Sequence, residues 1–361
     1  MRAPDTSPRP VRLEQPADRG GRAQPMLIAK NLRRYFPIRG GLLNRTVAEV
    51  KAVDGVSFTV MKGETLSVVG ESGCGKSTLA RLLMHLLAMD EGEVVFDGDP
   101  IGRVDGLSLR ELRRNLQMVF QDSYSSLNPR LPIEDSVAYA PRVHGMNRAQ
   151  ARGTARELLQ RVGLRPEVFA GRYPHELSGG QKQRVNVARA LALSPRMLIL
   201  DEAVSALDKS VGAQVLNLLG RLKRDLSLTY MFISHDLDVV QYISDRVMVM
   251  YLGQVVELGP VDAIYAAPRH PYTVALLECR LAVDPAARIV TPPLVGEPPN
   301  PVNPPSGCRF HTRCPHAERV CKTRMPVLSE WGGAPEAHLV ACHMAQPGSG
   351  HSKAVPRGAL H

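Results

Sequence analysis

The stretch that decides the fold is Thr65-Leu66-Ser67-Val68-Val69-Gly70-Glu71-Ser72-Gly73-Cys74-Gly75-Lys76-Ser77-Thr78. Thr65–Val69 is a short apolar run with the length of a buried strand. It ends in a glycine-rich turn, and Lys76–Leu87 then reads as a helix. The turn carries Gly-x-x-x-x-Gly-Lys-Ser in the strand–loop–helix context that gives this pattern its meaning. Glycines let backbone N–H groups turn inward and close on phosphate oxygens, and the helix start adds positive potential. Lys76 is placed to reach the outer phosphates of a nucleotide, and the Ser77 hydroxyl to ligate Mg²⁺. Gly70, Glu71, Ser72, Gly73, Cys74, Gly75, Lys76, Ser77 and Thr78 are therefore the candidate nucleotide-binding residues. Cys74 reads as a small filler in the loop.

A second signal lies downstream in Met197-Leu198-Ile199-Leu200-Asp201-Glu202. Four apolar residues predict a buried strand with two carboxylates at its carboxyl end, where ligand crevices of open α/β sheets lie. Asp201 is placed to hold Mg²⁺, and Glu202 to polarise a water for attack on a γ-phosphate. A third signal is Leu177-Ser178-Gly179-Gly180-Gln181, immediately before the helical run Val185–Leu193. It predicts a second anion-binding helix terminus, although one nucleotide needs only one.

The remaining pattern is that of a mixed α/β protein. Met26–Leu32, Val50–Val60, Thr229–Ile233 and Arg246–Met250 predict strands, and Val211–Leu226 and Leu237–Ile243 predict helices between them. Strands alternating with helices imply a parallel sheet. An inserted helical subdomain is expected over about 122–178, with a helix over Arg148–Val162. Residues 1–25 and 346–361 are expected to be disordered, 26–284 to form the nucleotide domain, and 285–345 to form a C-terminal extension. Seven prolines within 292–305 mark a linker. The composition, 44% hydrophobic and 22% charged with net charge +10, excludes a mainly disordered chain and selects no partner class. No run approaches the roughly 20 apolar residues of a membrane span, and no apolar signal segment opens the chain, so a cytoplasmic protein is expected.

Taken together, the phosphate loop, the strand-end acids and the Ser178–Gln181 signature resemble the ATP-binding subunit of an ABC transporter. The resemblance implies a P-loop nucleotide domain with an antiparallel β portion, a helical subdomain and a small Cys-rich tail. It extends to further positions. Gln121, in Val119-Phe120-Gln121-Asp122, matches the glutamine that touches Mg²⁺ and the attacking water. Ser205-Ala206-Leu207-Asp208 matches the D-loop, and His235 the switch histidine on the γ-phosphate. Phe36 matches the aromatic that stacks on adenine, with Tyr35 as its rival. Ala203 departs from the family's usual proline after the acid pair. In this family two nucleotide domains meet head to tail, so Ser178, Gly179, Gly180 and Gln181 would close on ATP held by a second ATPase subunit, expected to be a paralogue. Two membrane permease subunits and an extracytoplasmic binding protein are the other implied partners, at the cytoplasmic face of the inner membrane, with no nucleic acid.

A narrower resemblance, to the peptide-importer branch, rests on Ser126-Leu127-Asn128-Pro129-Arg130, on Arg269-His270-Pro271-Tyr272-Thr273 and on the tail cysteines. It implies ATP hydrolysis driving dipeptide or oligopeptide import. Nickel and glutathione importers share these features, and soluble ABC ATPases and a redox-sensing regulatory ATPase are the rival classes. Cys308, Cys314, Cys321 and Cys342 have spacings of five, six and 20 intervening residues, matching neither a zinc-finger nor a ferredoxin pattern. Four thiolates in a small, proline-rich segment argue for a metal staple. The branch resemblance favours a 4Fe–4S cluster, with Zn²⁺ as the alternative and His311 and His343 as further ligand candidates.

Overall fold

The computed structural model describes residues 21, 24–40, 45–102, 106–122, 125–279, 296–331 and 338–355, which fall into two compact units. One is built from Arg110–Thr229, and the other joins Gly20–Leu109 to Tyr230–His361. The expected disordered lead-in (1–25) lies outside the described residues except for 21, 24 and 25. Part of the proline-rich linker does too.

The two-segment unit opens with β1 (Pro25–Gly40), β2 (Arg45–Met61), β3 (Thr65–Val69), α1 (Lys76–Leu83), β4 (Glu91–Phe96) and β5 (Asp99–Pro100). Antiparallel pairing in the order β2-β1-β4-β5 makes the expected β portion. Val56, Phe58 and Val60 alternate into its buried face with the period of two that a strand imposes. Helix α1 is shorter than its apolar spacing predicts. It stops at Leu83 because His85 turns into the left-handed region at φ 49°, where the helix cannot continue.

The Arg110–Thr229 unit holds most of α2 (Leu109–Asn115), then β6 (Leu116–Val119), α3 (Ile133–Val143), α4 (Arg148–Arg161), α5 (Pro166–Phe169), α6 (Gly179–Leu191), β7 (Met197–Asp201) and α7 (Lys209–Asp225). Strands β6 and β7 are parallel, with Val119 opposite Leu200. Helices α3 and α4 are tied by Arg152 to Asp135, at 2.9 Å, and by Arg156 to Glu134. Asn147 caps α4 by accepting the Gln150 N–H at 2.9 Å.

The chain then returns to the two-segment unit through β8 (Thr229–Ile233), α8 (Leu237–Ile243), β9 (Arg246–Tyr251), β10 (Gln254–Pro260), α9 (Val261–Ala266) and α10 (Pro271–Glu278). Strand β3 lies between β8 and β9, parallel to both, with Val68 opposite Ile233 and Met248. Every residue of β3 and β8 is buried, which is why both read as unbroken runs without alternation. Beyond the linker come α11 (Arg319–Thr323), β11 (Ser329–Trp331) and β12 (His338–Val340). Strand β12 pairs antiparallel with β10, Val340 opposite Glu257, so the C-terminal region extends this sheet. The expected disordered tail is not borne out over 346–355. Ser349 Oγ donates to the His343 carbonyl at 2.6 Å, the His351 ring bonds the His316 carbonyl, and Ser352 N–H donates to Glu318.

Glu257, fully buried on β10, accepts the Arg269 and His270 N–H groups at 2.7 and 3.0 Å and meets the His338 ring at 2.8 Å. The His270 ring in turn caps α10, its Nδ1 accepting the Tyr272 N–H at 3.0 Å. Burial pushes the His270 imidazole down to about 4, against the opposing pull of Glu257. It is therefore neutral in the folded protein and takes a proton near pH 6.5 only on unfolding. The unfolded chain binds the extra proton between these values, so stability falls as pH drops from about 6.5 towards 4. His270→Asn keeps a capping acceptor without the titration. Urea midpoints measured across this range should fall less steeply for the variant than for the wild type.

Candidate nucleotide-binding site

The phosphate loop is shaped by close backbone approach. A Cβ at Gly70 would lie 2.2 Å from the Met250 carbonyl oxygen, and one at Gly75 2.1 Å from that of Ala52. Gly70 and Gly75 also take φ values of 147° and 110°, which side-chain-bearing residues avoid. The Leu252-Gly253 turn between β9 and β10 clamps the loop. Gly253 N–H donates to the Cys74 carbonyl at 2.8 Å, and its own carbonyl accepts the Asp54 N–H at 2.9 Å. A Cβ at Gly73 would meet nothing within 4 Å, so the loop is open on that side. The buried Lys76 ammonium donates to the Gly70 and Glu71 carbonyls at 2.7 and 3.0 Å. Ser72 and Gly73 are exposed, and Ser77 and Thr78 half-buried at the helix start. This set of amides, one ammonium and hydroxyls at a helix N-terminus fits an anionic phosphate with Mg²⁺. Cys74 is buried, and burial pushes its thiol up, in keeping with a filler.

Sequence reasoning missed the side chains that brace this loop. Tyr272 Oη accepts the Glu71 N–H at 2.8 Å. Arg313, from the C-terminal region, grips the Glu71 carboxylate with two donors at 2.7 and 3.1 Å. Arg309 bonds the Leu252 carbonyl and the Asp54 carboxylate. Phe310, fully buried, packs against Tyr251 and Tyr272 with ring centroids 5.4 Å apart in each pair. The Arg269–Thr273 run was legible as a family mark, but nothing in its spacing placed it beside the loop.

His235 follows β8 and is exposed. The β3–β8 register brings it to the same strand ends from which the phosphate loop departs. Asp236 fixes the turn behind it by accepting the Asp238 and Val239 N–H groups at 3.0 and 3.2 Å. Tyr35 and Phe36 lie half-buried on β1. The Tyr35 hydroxyl donates to Asp54 at 2.5 Å; burial, then this carboxylate, pushes it up to about 12. Phe36 carries the Arg34 guanidinium over its ring, 4.9 Å from the centroid.

In the Arg110–Thr229 unit the parallel β6–β7 register brings Gln121 and the acid pair together. Gln121 Nε2 donates to Glu202 Oε2 at 2.6 Å. Glu202 has φ 48°, rare for a residue with a Cβ. Ser205 supports that turn, its N–H and Oγ donating to the Glu202 carbonyl at 3.2 and 2.9 Å. The strained backbone at Glu202 was invisible in the sequence, and it gives the D-loop serine a physical task. Asp201 is buried at the end of β7, and Asp208 stands at the N-cap of α7. Ala203 is buried where the family has proline.

The signature forms the N-terminus of α6. Ser178 Oγ accepts the Gln181 N–H at 3.4 Å and Gln181 Oε1 accepts the Ser178 N–H at 3.0 Å, a reciprocal capping box. Ser178 and Gly179 remain exposed. Gly180 faces α7, where a Cβ would fall 2.4 Å from Val211.

The four tail cysteines come within electrostatic reach of one another. Burial, then the neighbouring thiols, pushes Cys308 up to about 12 and Cys342 to about 11, and raises Cys314. Cys308, Cys314 and Cys342 each accept a backbone N–H from two residues on: Phe310, His316 and Met344. Cys308 N–H donates to the Cys321 carbonyl at 2.8 Å. Among the described residues no three His, Cys, Asp or Glu side chains are close enough to hold one metal ion. The His311 and His343 rings bond the Cys308 and Arg324 carbonyls, each at 2.9 Å. Cys279, outside this group, is exposed.

Comparison with known proteins agrees with this geometry. The family model described as ABC transporter matches residues 53–205, and that of the oligopeptide/dipeptide transporter C-terminal region matches 256–321. The oligopeptide transport ATP-binding protein AppF of Bacillus subtilis is 50% identical over 323 residues, 88% of this chain and 97% of that protein. The dipeptide transport ATP-binding protein DppF of Escherichia coli is 45% identical over 320 residues, 88% and 94% of the two chains. Among solved structures, the dimeric post-hydrolysis state of the ATP-binding cassette MJ0796 with ADP and Pi matches with TM-score 0.56 and 29% identity, over 65% of this chain and 99% of that one. With its phosphate loop, its strand-end acid pair and a matching C-terminal region, the chain belongs to the ABC transporter ATP-binding proteins of the oligopeptide/dipeptide branch.

Proposed function

We propose that this chain hydrolyses ATP to drive import of dipeptides or oligopeptides through a membrane permease. The observation that carries the reading is the Gln121–Glu202 hydrogen bond at 2.6 Å, formed at a strained strand end. It supports a carboxylate held for one task, to take a proton from an attacking water, with Gln121 orienting that water. The phosphate loop and Lys76 bind the β- and γ-phosphates, and Phe36 stacks on adenine. Ser77, Gln121 and Asp201 hold Mg²⁺, which when bound neutralises charge on the transferring phosphoryl group. His235 contacts the γ-phosphate.

The exposed Ser178 and Gly179 at the α6 N-terminus favour a γ-phosphate held by a second, paralogous ATPase subunit, in a head-to-tail dimer with Gly180 and Gln181 behind them. Ser205 and Asp208 belong to the same contact. Tyr139 and Val143 are exposed one helical turn apart on α3, and Phe120 beside Gln121 is exposed as well. Such apolar side chains suit docking of a permease segment. Among the described residues no helix is long and apolar enough to cross a membrane. As the ATPase subunit of such a transporter the protein works peripherally, at the cytoplasmic face of the inner membrane, with two permease subunits and an extracytoplasmic binding protein.

The test is peptide uptake and phosphate release in the reconstituted transporter, with and without Glu202→Gln. The variant should still bind ATP while its own site loses about 10²–10⁴-fold in turnover, and uptake should fall with it. Wild-type hydrolysis by the variant would remove Glu202 from the base role. ATP-driven uptake of another solute class, with none of peptides, would overturn the substrate.

We further propose that Cys308, Cys314, Cys321 and Cys342 hold a 4Fe–4S cluster, with Zn²⁺ as the alternative. The backbone N–H donors two residues past three of the cysteines support it, because they stabilise thiolates. So does the gathering of the four thiols within electrostatic reach of one another, since a cationic iron–sulfur core would stabilise their ionised forms. The role is structural, holding a segment with little core of its own. Anaerobically purified protein should contain about four iron and four sulfide per chain. Stoichiometric zinc without sulfide would replace the cluster with a zinc staple, and four reactive thiols without metal would remove the centre.

A further inference from the structure

Glu71 is an awkward residue for its position. It puts a carboxylate inside a loop whose task is to receive phosphates, where an uncompensated negative charge repels the ligand. Its main chain is held by the Tyr272 hydroxyl and its carboxylate by both arms of Arg313. The Arg313 side chain is only 5% exposed and that of Glu71 22%, so solvent screens the pair little. Arg313 itself is anchored, donating to the Gly296 carbonyl at 3.0 Å, and its chain neighbour is Cys314. Four residues earlier, Arg309 makes the matching grip on Asp54 and Leu252, beside the Gly253 turn that clamps the loop. Fully buried Phe310 lies between them on the aromatic floor made by Tyr251 and Tyr272.

We propose that Arg313 is a positioning residue for ATP: it cancels the Glu71 charge and fixes the phosphate loop from behind, which makes the C-terminal region an integral part of the nucleotide site. This rests on reading Gly70–Thr78 as the ATP cradle. The bidentate geometry is that of a guanidinium on a carboxylate, the strongest of the ordinary ion-pair arrangements. Removing one partner of such a pair leaves an unpaired charge, whereas removing both is close to neutral. That asymmetry separates positioning through charge from a merely structural bolt.

The experiment is calorimetric titration of the full chain with a non-hydrolysable ATP analogue and Mg²⁺, beside steady-state KM and kcat in the assembled transporter. Arg313→Gln should raise the analogue's Kd and the KM for ATP about tenfold, with kcat at saturation within about twofold of wild type. Adding Glu71→Gln to Arg313→Gln should recover most of the lost affinity, because the unpaired carboxylate is gone. Arg313→Lys, which keeps the charge without the fork, should lie between wild type and Arg313→Gln. An unchanged Kd in Arg313→Gln, or a double variant as weak as or weaker than the single, overturns the proposal. Lys76→Ala serves as the reference. If it fails to bind the analogue while Arg313→Gln binds normally, this inference alone fails. If Lys76→Ala binds like wild type, the cradle reading fails with it.

Discussion

The nucleotide site depends on how closely the backbone of β2 and of the β9–β10 turn approaches the phosphate loop. The Ala52 and Met250 carbonyls stand where side chains at Gly75 and Gly70 would begin. Gly253 ties the loop to both sides through Cys74 and Asp54. These contacts fix the outer wall of the loop. The Lys76 ammonium lies across the loop's own carbonyls, donating to those of Gly70 and Glu71.

Local backbone constraint also governs the acid pair at the end of β7. Glu202 does not stand where it does because of a helix or a strand. It stands in the left-handed turn just past β7, and Ser205 and Gln121 hold that turn and its carboxylate. The positive φ sets where the side chain leaves the backbone, and the Gln121 amide fixes where its carboxylate ends. The helix after Ser178 follows the opposite logic. Its capping box satisfies the chain's own N–H groups, while Ser178 and Gly179 stay exposed.

Much of this was legible in the sequence, and the exceptions share a cause. The phosphate loop, the acid pair, β3, β8 and α8 are encoded within a few consecutive residues, so local pattern sufficed. Strands β4, β5, β6, β10, β11 and β12 and helices α2, α3, α5, α9, α10 and α11 were not read from the sequence. Strands β11 and β12 are only three residues long, and α3 carries Pro141 inside it. Segment 346–355 looked disordered because its polar residues find partners, His316 and Glu318, some 34 or 35 positions away. Glu71 shows the limit most clearly. Its partner Arg313 lies 242 residues on, and no spacing rule connects them.

The C-terminal region is thus no appendage. It supplies β12 and the edge strand β11 to the sheet, Phe310 to the aromatic floor and two arginines to the elements that shape the phosphate loop. Amide hydrogen exchange with and without ATP and Mg²⁺ tests this most directly. Nucleotide should slow exchange over residues 70–78, and over 308–314 and at Tyr272 with them, since all are parts of one site. Slowing confined to 70–78, with 308–314 exchanging as before, would contradict it.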